Sequence, residues 1–318
     1  MNKCEKLELI SITPLWVSDL AIGQCWDKVK DNVDLKRMDR VANKFKHRST
    51  IEHIYATWLT TNKDLIEIFK QDRFSLVSEN STGTYITTNM RALGNMNLNK
   101  DLLINMLPEQ YRFLVIDGIE LIYKNISSRS ASPHMEIEGV YVSLLNVDRI
   151  TPFVPLEHTV FNFHIKGITR SVLQELARHR VANFSVKSSR YTLSELKEEK
   201  PFKTIFGFTD KQVRRARRYV VLTDDRETNV AILKSLENLR KLVKSGKSND
   251  IIKDAMPEAY RTDLVLTFTY DGLLNFLHLR LDKSAWYRIR NLARMMMDVL
   301  PIDINMEIEN ALALSKKH

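Results

Sequence analysis

The chain has 318 residues, 44% of them hydrophobic, with 48 Lys and Arg against 39 Asp and Glu, a formal net charge of +9. That is enough chain to bury one large core or two, and it contains no run of 18 apolar residues that would span a bilayer. The positive charge is scattered, without an aromatic-rich RNA-binding signature or zinc-finger spacing, so small anionic substrates account for it as well as nucleic acid does. Cys4 and Cys25 are the only cysteines. They have neither metal-ligand spacing nor a redox partner, so no metal site or disulfide framework is expected. The start MNKCEKLELISITP lacks the apolar stretch of a signal peptide, and a cytoplasmic location is expected.

In chain order, Leu7, Leu9, Ile10 and Ile12 suggest a strand, then Thr13-Pro14, then a helix from Val17 to Trp26. SSRSAS at 127–132 reads as a flexible loop. Residues 159–166 alternate, with Phe161, Phe163 and Ile165 on one face and Asn162, His164 and Lys166 on the other, which describes a half-buried strand ended by Gly167. Thr169 is placed to cap a helix whose buried stripe is Val172, Leu173, Leu176 and Ala177. Glu175 and Arg178 then share its exposed side at i, i+3.

Residues 227–245 form an amphipathic helix through Val230, Leu233, Leu236, Leu239 and Val243, closed by Gly246. Leu273–Leu279 suits a buried helix. Asp282 could cap the next, which carries Trp286, Ile289, Ala293, Met296 and Leu300 as far as Pro301, with Met295–Met297 as core filler. Strand and helix pieces in this mixture indicate an α+β fold.

The segment RHRVANFSVKSSRY concentrates chemistry. Arg178, Arg180, Arg190 and Ser188 lie within thirteen residues, and a small-residue, Ser-rich loop after Arg180 would let them close around a phosphate. A solvated basic surface is the other reading of the same residues.

The spacing R-H-R, seven residues, S, then x-R-Y resembles the signature of the flavin-dependent thymidylate synthases, the ThyX family. The resemblance extends through HTVFNFHIKGITRSVLQELARHR upstream and AMPEAYRTDLVLTFTYDGLLNFLHLRLDKSAW downstream. It covers most of 151–300 and, more weakly, the first 55 residues or so. It implies an α+β fold with a mixed sheet and long helices, a homotetramer, and active sites built between subunits. The implied reaction converts dUMP to dTMP, with methylenetetrahydrofolate as carbon donor and NADPH-reduced FAD as hydride source. No G-x-G-x-x-G segment is present, so the flavin site is not of the Rossmann type.

Matched position by position, the resemblance places the nucleotide phosphate on Ser188, Ser189 and Arg190, with Tyr191 beside them. Arg178 falls between nucleotide and flavin, and His179 and Arg180 face the flavin. His47 and Ser49 of KHRSTIEH are the upstream flavin contacts, and Asn275 meets the adenine end or ring edge of FAD. Uracil C5 is a poor nucleophile. Neither cysteine lies in a nucleophile-like context, so a fixed cation that stabilises the N3-deprotonated ring is the suitable route, and the resemblance gives that role to Arg280. Glu175 stands where Gln is often found and Lys253 where Arg is usual, and Val186 replaces a polar residue. Glu175 either pairs with Arg178 or accepts from a base amine. The alternatives are a methylase or hydroxymethylase of another pyrimidine monophosphate, a member without activity, and a basic nucleic-acid-binding protein.

The middle of the chain departs from the pattern. His47, Ser49, Glu52 and His53 match H-x-[ST]-x-x-E-H, yet a second Glu157-His158 follows far downstream. This divides the chain into an N-terminal element (1–60), an inserted or duplicated element (61–150) and a catalytic core (151–318). Within the middle part, Asn89, Arg91, Leu93 and Asn95 spell N-x-R-x-L-x-N, while the expected C-terminal copy reads Thr269, Asp271, Leu273 and Asn275. Two readings stand: a surface insertion with a chance echo, or a duplicated flavin element in which Asn89 and Arg91 bind and Arg91 supplies the guanidinium that Asp271 cannot.

Overall fold

The structure, a computed structural model, describes residues 6–129, 132–148, 154–203 and 207–315. Cys4, and Ser130 and Ala131 of the expected loop, lie outside the described residues. One sheet contains β1 (Leu7–Ile12), β2 (Tyr55–Thr60), β3 (Leu76–Asn80) and β4 (Gly83–Asn89) in the order β1-β2-β4-β3. The other contains β5 (His134–Ile137), β6 (Val140–Asp148), β7 (Val160–Thr169), β8 (Ala182–Val186) and β9 (Arg261–Thr269) in the order β5-β6-β7-β9-β8. Helices complete an α+β architecture, but among the described residues every strand pairing is antiparallel, which corrects the expected mixed sheet. The helix between β7 and β8 makes the crossover of a split β-α-β unit: the two strands run parallel to each other, but β9 lies between them, antiparallel to both, so they are not hydrogen-bonded neighbours.

The order β1-β2-β4-β3 recurs as β6-β7-β9-β8. Both outer pairs slip register at the same place, between Leu9 and Ser11 opposite Trp58 and Thr57, and between Leu144 and Asn146 opposite Phe163 and Asn162. Both second strands follow a 3₁₀ turn ending in Glu-His, Arg48–His53 in one half and Leu156–His158 in the other. Both third strands end on a helix cap. Asn89 accepts the Ala92 N–H at 2.9 Å, and Thr269 accepts that of Gly272 at 3.4 Å. Residues 61–150 therefore supply strands to both sheets.

The repeats face each other through polar side chains. His53 reaches Thr267 (2.8 Å) and Ser185 (2.9 Å) of the second sheet, while His158 reaches Thr87 (2.7 Å) and Ser78 (2.6 Å) of the first. A neutral imidazole satisfies such a pair by donating once and accepting once. Burial accordingly pushes the pKa of His53 down to about 3 and that of His158 to about 4. Thr13 and Asp148, which follow Ile12 and Val147 in equivalent registers, hydrogen-bond directly to each other.

This packing explains why β7 is buried on both faces rather than one. Asn162 donates to the His53 carbonyl (3.1 Å) and Thr267 (2.7 Å), and His164 bonds Gln24 at 2.7 Å. Gly167 does not end β7 but sits in a bulge at φ +77°, where a Cβ would lie 2.3 Å from the Gly139 carbonyl oxygen.

The outer face of the second sheet packs the helices Arg170–Ala177, Tyr270–Arg280, Tyr287–Asp298 and Ile302–Ser315 around Phe161, Phe163 and Ile165. Thr169 caps the first of these, as its sequence indicated, although Ala177 is exposed. Asp282 caps no helix; its carboxylate takes the N–H and O–H of Ser284 in a turn, and Trp286 precedes the helix. Helix Arg226–Lys244 forms a separate small core through Leu233, Leu236, Leu239 and Val243.

Candidate active site

Arg178, His179 and Arg180 follow the Arg170–Ala177 helix directly, because the chain must turn there to enter β8. Arg178 projects into solvent, 3.4 Å from Glu175. His179 is buried, edge-on to Phe276, and accepts the Arg280 Nε–H at 2.9 Å. Burial, reinforced by the neighbouring Arg280 and Arg178 charges, lowers its pKa, so the ring stays a neutral acceptor. Arg280 ends the Tyr270–Arg280 helix with only 16% of its side chain exposed, paired at 2.9 Å with the second oxygen of Glu175. Glu175 thus bridges Arg178 and Arg280. Together with Asn275, the two arginines, His179 and Arg180 line a cavity of about 380 Å³.

The expected loop after Arg180 is instead the strand β8, paired along its length with β9. Its Phe184 and alternating Ser185 suit a sheet edge, and β9 offered an open partner. The consequence is a separation. Five extended residues at about 3.3 Å each hold the arginine triplet and Ser188 roughly 17 Å apart or more, so one chain does not fold them around a single phosphate. Beyond β8, Ser188 opens the one-turn helix Ser189–Thr192 and its N–H donates to the Cys25 carbonyl at 3.0 Å. Arg190 pairs with Asp250 at 3.2 Å, Lys253 stands 3.9 Å from the same carboxylate, and Tyr191 lies against Trp26. Ser188 and Ser189, half-buried, and the more exposed Arg190 and Lys253, which Asp250 joins, therefore form a second polar, basic patch.

A third location joins the two halves. The ends of β4 and β9 open on a cavity of about 720 Å³ whose walls include Asn89, Arg91, Asn95, Arg180 and Asp271. Asn89 is buried and spends its side-chain oxygen as a helix cap, whereas Arg91 faces the cavity and pairs with Glu52. Asp271 shares the cavity with Glu157; burial and then the Glu157 charge raise its pKa. His47 and Ser49 are exposed on the turn before β2 and line none of these cavities. Sequence reasoning singled out Glu52 but missed Tyr55 and Asn183 beside it in this wall: Tyr55 donates to Asn183 (2.8 Å), which donates to Glu52 (3.1 Å). Only the register of β8 against β9 brings them together.

A sequence profile described as "Thymidylate synthase complementing protein" matches residues 130–302. The chain belongs to this family. Members similar to it are the flavin-dependent thymidylate synthases of Wolinella succinogenes, 51% identical over 46% of this chain and 69% of that one, and of Campylobacter jejuni, 45% identical over 49% and 73%. The Helicobacter pylori enzyme of the same name is 44% identical over 46% and 69%. A crystal structure of Thymidylate Synthase X from Helicobacter pylori with FAD and dUMP aligns over 97% of this chain and 99% of that one, at 26% identity and a TM-score of 0.46. The profile match begins at residue 130, so most of the first half of this family member, including Arg91, lies outside it.

Proposed function

We propose that this chain converts dUMP to dTMP in the cytoplasm, with methylenetetrahydrofolate as carbon donor and noncovalent FAD, reduced by NADPH, supplying the hydride. The observation that carries the reading is Arg280, a largely buried guanidinium fixed between His179 and Glu175 at the edge of a cavity lined by Arg178 and Arg180. A cation held in place before substrate arrives stabilises an N3-deprotonated uracil without reorganisation, and so raises electron density at C5. Two hydrogen bonds and an ion pair orient it, and the fork has further N–H donors to offer a ligand. Neutral His179 acts as the acceptor that sets its angle.

The residues fit FAD. A diphosphate needs cations and amide donors beside a concave surface, which Arg91, Arg180 and Asn95 offer at one cavity, with His179 and Asn275 at its neighbour. Ser188, Ser189, Arg190 and Lys253 hold the nucleotide phosphate. Because β8 keeps that cluster apart from Arg178 and Arg280, the complete site takes its phosphate-binding residues and its ring-activating residue from different copies of the chain, in a homotetramer. His47 and Ser49, exposed here, contact the flavin in that assembly. Glu175 pairs with Arg178, the first of its two expected roles, and with Arg280, which it helps to hold in place.

The test is the visible spectrum of the purified chain followed by tritium release from C5-labelled dUMP. A flavin band, and release dependent on NADPH and methylenetetrahydrofolate, are expected. A protein that stays colourless after reconstitution with FAD overturns the reading.

A further inference from the structure

The two halves repeat each other closely enough that each wall of the 720 Å³ cavity has a counterpart. At the ends of β4 and β9, Arg91 corresponds to Asp271, each two residues beyond its helix cap. On the edge strands, Ser78 and Ser185 receive equivalent histidines, so Arg73 corresponds to Arg180 and Gln71-Asp72-Arg73 to Arg178-His179-Arg180. Glu52 corresponds to Glu157, each immediately before its buried histidine. Arg73, Arg180, Glu52, Glu157, Arg91 and Asp271 all line the one cavity, which therefore straddles the axis relating the halves.

The sides differ in charge. On the first, Arg91 is joined to Glu52, and Glu52 is further held by Asn183 of β8, three residues after Arg180. That side carries Arg91 and Arg180 against a single carboxylate. On the second, Asp271 and Glu157 repel each other, and Asp72 is spent on the N–H of Phe74 and the hydroxyl of Ser75. Arg73, its one arginine, lies over the Phe74 ring at 4.6 Å. A diphosphate is attracted to the first side and repelled by the second.

We propose that the chain is an internal duplicate whose halves have lost opposite parts of one site. The first half keeps Asn89-x-Arg91 and has Gln71-Asp72-Arg73 in place of the arginine triplet; the second keeps Arg178-His179-Arg180 and has Thr269-x-Asp271. Across the axis, the two retained parts meet and form one FAD site per chain, while the two altered parts meet and form none. Arg91 is the ligand-facing charge that the first half contributes. This rests on the FAD reading above, and it adds which half supplies which part and how many sites result.

The experiment is a titration of the flavin-free full chain with FAD, followed by flavin fluorescence, with protein and flavin counted independently. One FAD per chain is expected. Arg91→Ala should weaken binding by about ten- to a hundredfold, the effect of losing a charged hydrogen bond. Arg91→Lys should recover part of that, and Arg73→Ala should leave affinity and stoichiometry unchanged. Because Arg91→Ala also strands the Glu52 carboxylate, the double variant Glu52→Gln/Arg91→Ala is included and should remain weak. Circular dichroism and melting confirm that each variant is folded. Two FAD per chain, equal losses in Arg73→Ala and Arg91→Ala, or wild-type affinity in the double variant would overturn the division of labour while leaving the thymidylate synthase reading in place. A wild-type chain that binds no FAD overturns both.

Discussion

His53 and His158 stand at equivalent turns, before β2 and β7, and each is buried against the opposite sheet with Nδ1 on a threonine and Nε2 on a serine. Neither half satisfies its own histidine. The polar contact between the sheets is thus reciprocal, and its energy depends on both rings remaining neutral.

Acid should therefore destabilise the protein in a defined window. The folded-state pKa values of His53 (about 3), His158 (about 4) and His164 (about 3) lie below the ordinary value of 6.5, because burial disfavours the charged ring. The unfolded chain then binds more protons between those limits, so stability is full above pH 6.5 and falls as pH drops towards 3–4. Each histidine contributes a slope of up to about 1.4 kcal/mol per pH unit. Asp148 opposes them: burial pushes it up to about 6 from 3.8, so its folded form gains protons in that interval. Melting temperature is expected to fall between pH 6.5 and 4.5, less steeply in His158→Gln. A flat or rising profile contradicts the neutral-ring account.

Replacing Arg280 with Ala should lower kcat by about two to three orders of magnitude, as for loss of one preorganised charge stabiliser, with dUMP affinity little changed. Steady-state kinetics with direct calorimetric binding separates the two. A loss confined to affinity would remove Arg280 from ring activation.

Arg190 is expected to behave in the opposite way. Arg190→Ala should weaken dUMP by about ten- to a hundredfold, the loss of a charged phosphate contact. Asp250 competes for the same guanidinium, so Asp250→Asn should tighten binding. Calorimetry on both variants is sufficient, and unchanged affinity in Arg190→Ala would move the phosphate elsewhere.

At Gly167, substitution by Ala should destabilise the fold by about 1–3 kcal/mol from the left-handed backbone alone, and further because the new Cβ meets the Gly139 carbonyl and the Arg261 guanidinium. Chemical denaturation reads this directly; a neutral result would mean that the bulge relaxes.

Local features were legible in the sequence. Thr169 caps its helix, Arg226–Lys244 follows its apolar stripe, and the match between 89–95 and 269–275 corresponds to equivalent strand ends. What sequence could not supply was pairing. Nothing in RHRVANFSVKSSRY shows that β9 has a free edge for residues 182–186, so a loop was expected where a strand separates two basic clusters. Likewise, the polar face of β7 looked solvent-exposed because its cover, His53 and Gln24, comes from more than a hundred residues away. The Glu52–Asn183–Tyr55 chain is invisible for the same reason.

The direct bond between Thr13 and Asp148 shows what joining the halves in one polypeptide permits. In a symmetric pair of identical chains, every substitution is copied to its mate, so two carboxylates or two hydroxyls would meet wherever equivalent positions touch. A single gene encoding both halves removes that constraint. A hydroxyl can face a carboxylate here, and arginine can stand opposite aspartate at the cavity, without either change being imposed twice. The partner half is also always present, whatever the protein concentration, so divergence at this seam does not risk dissociation.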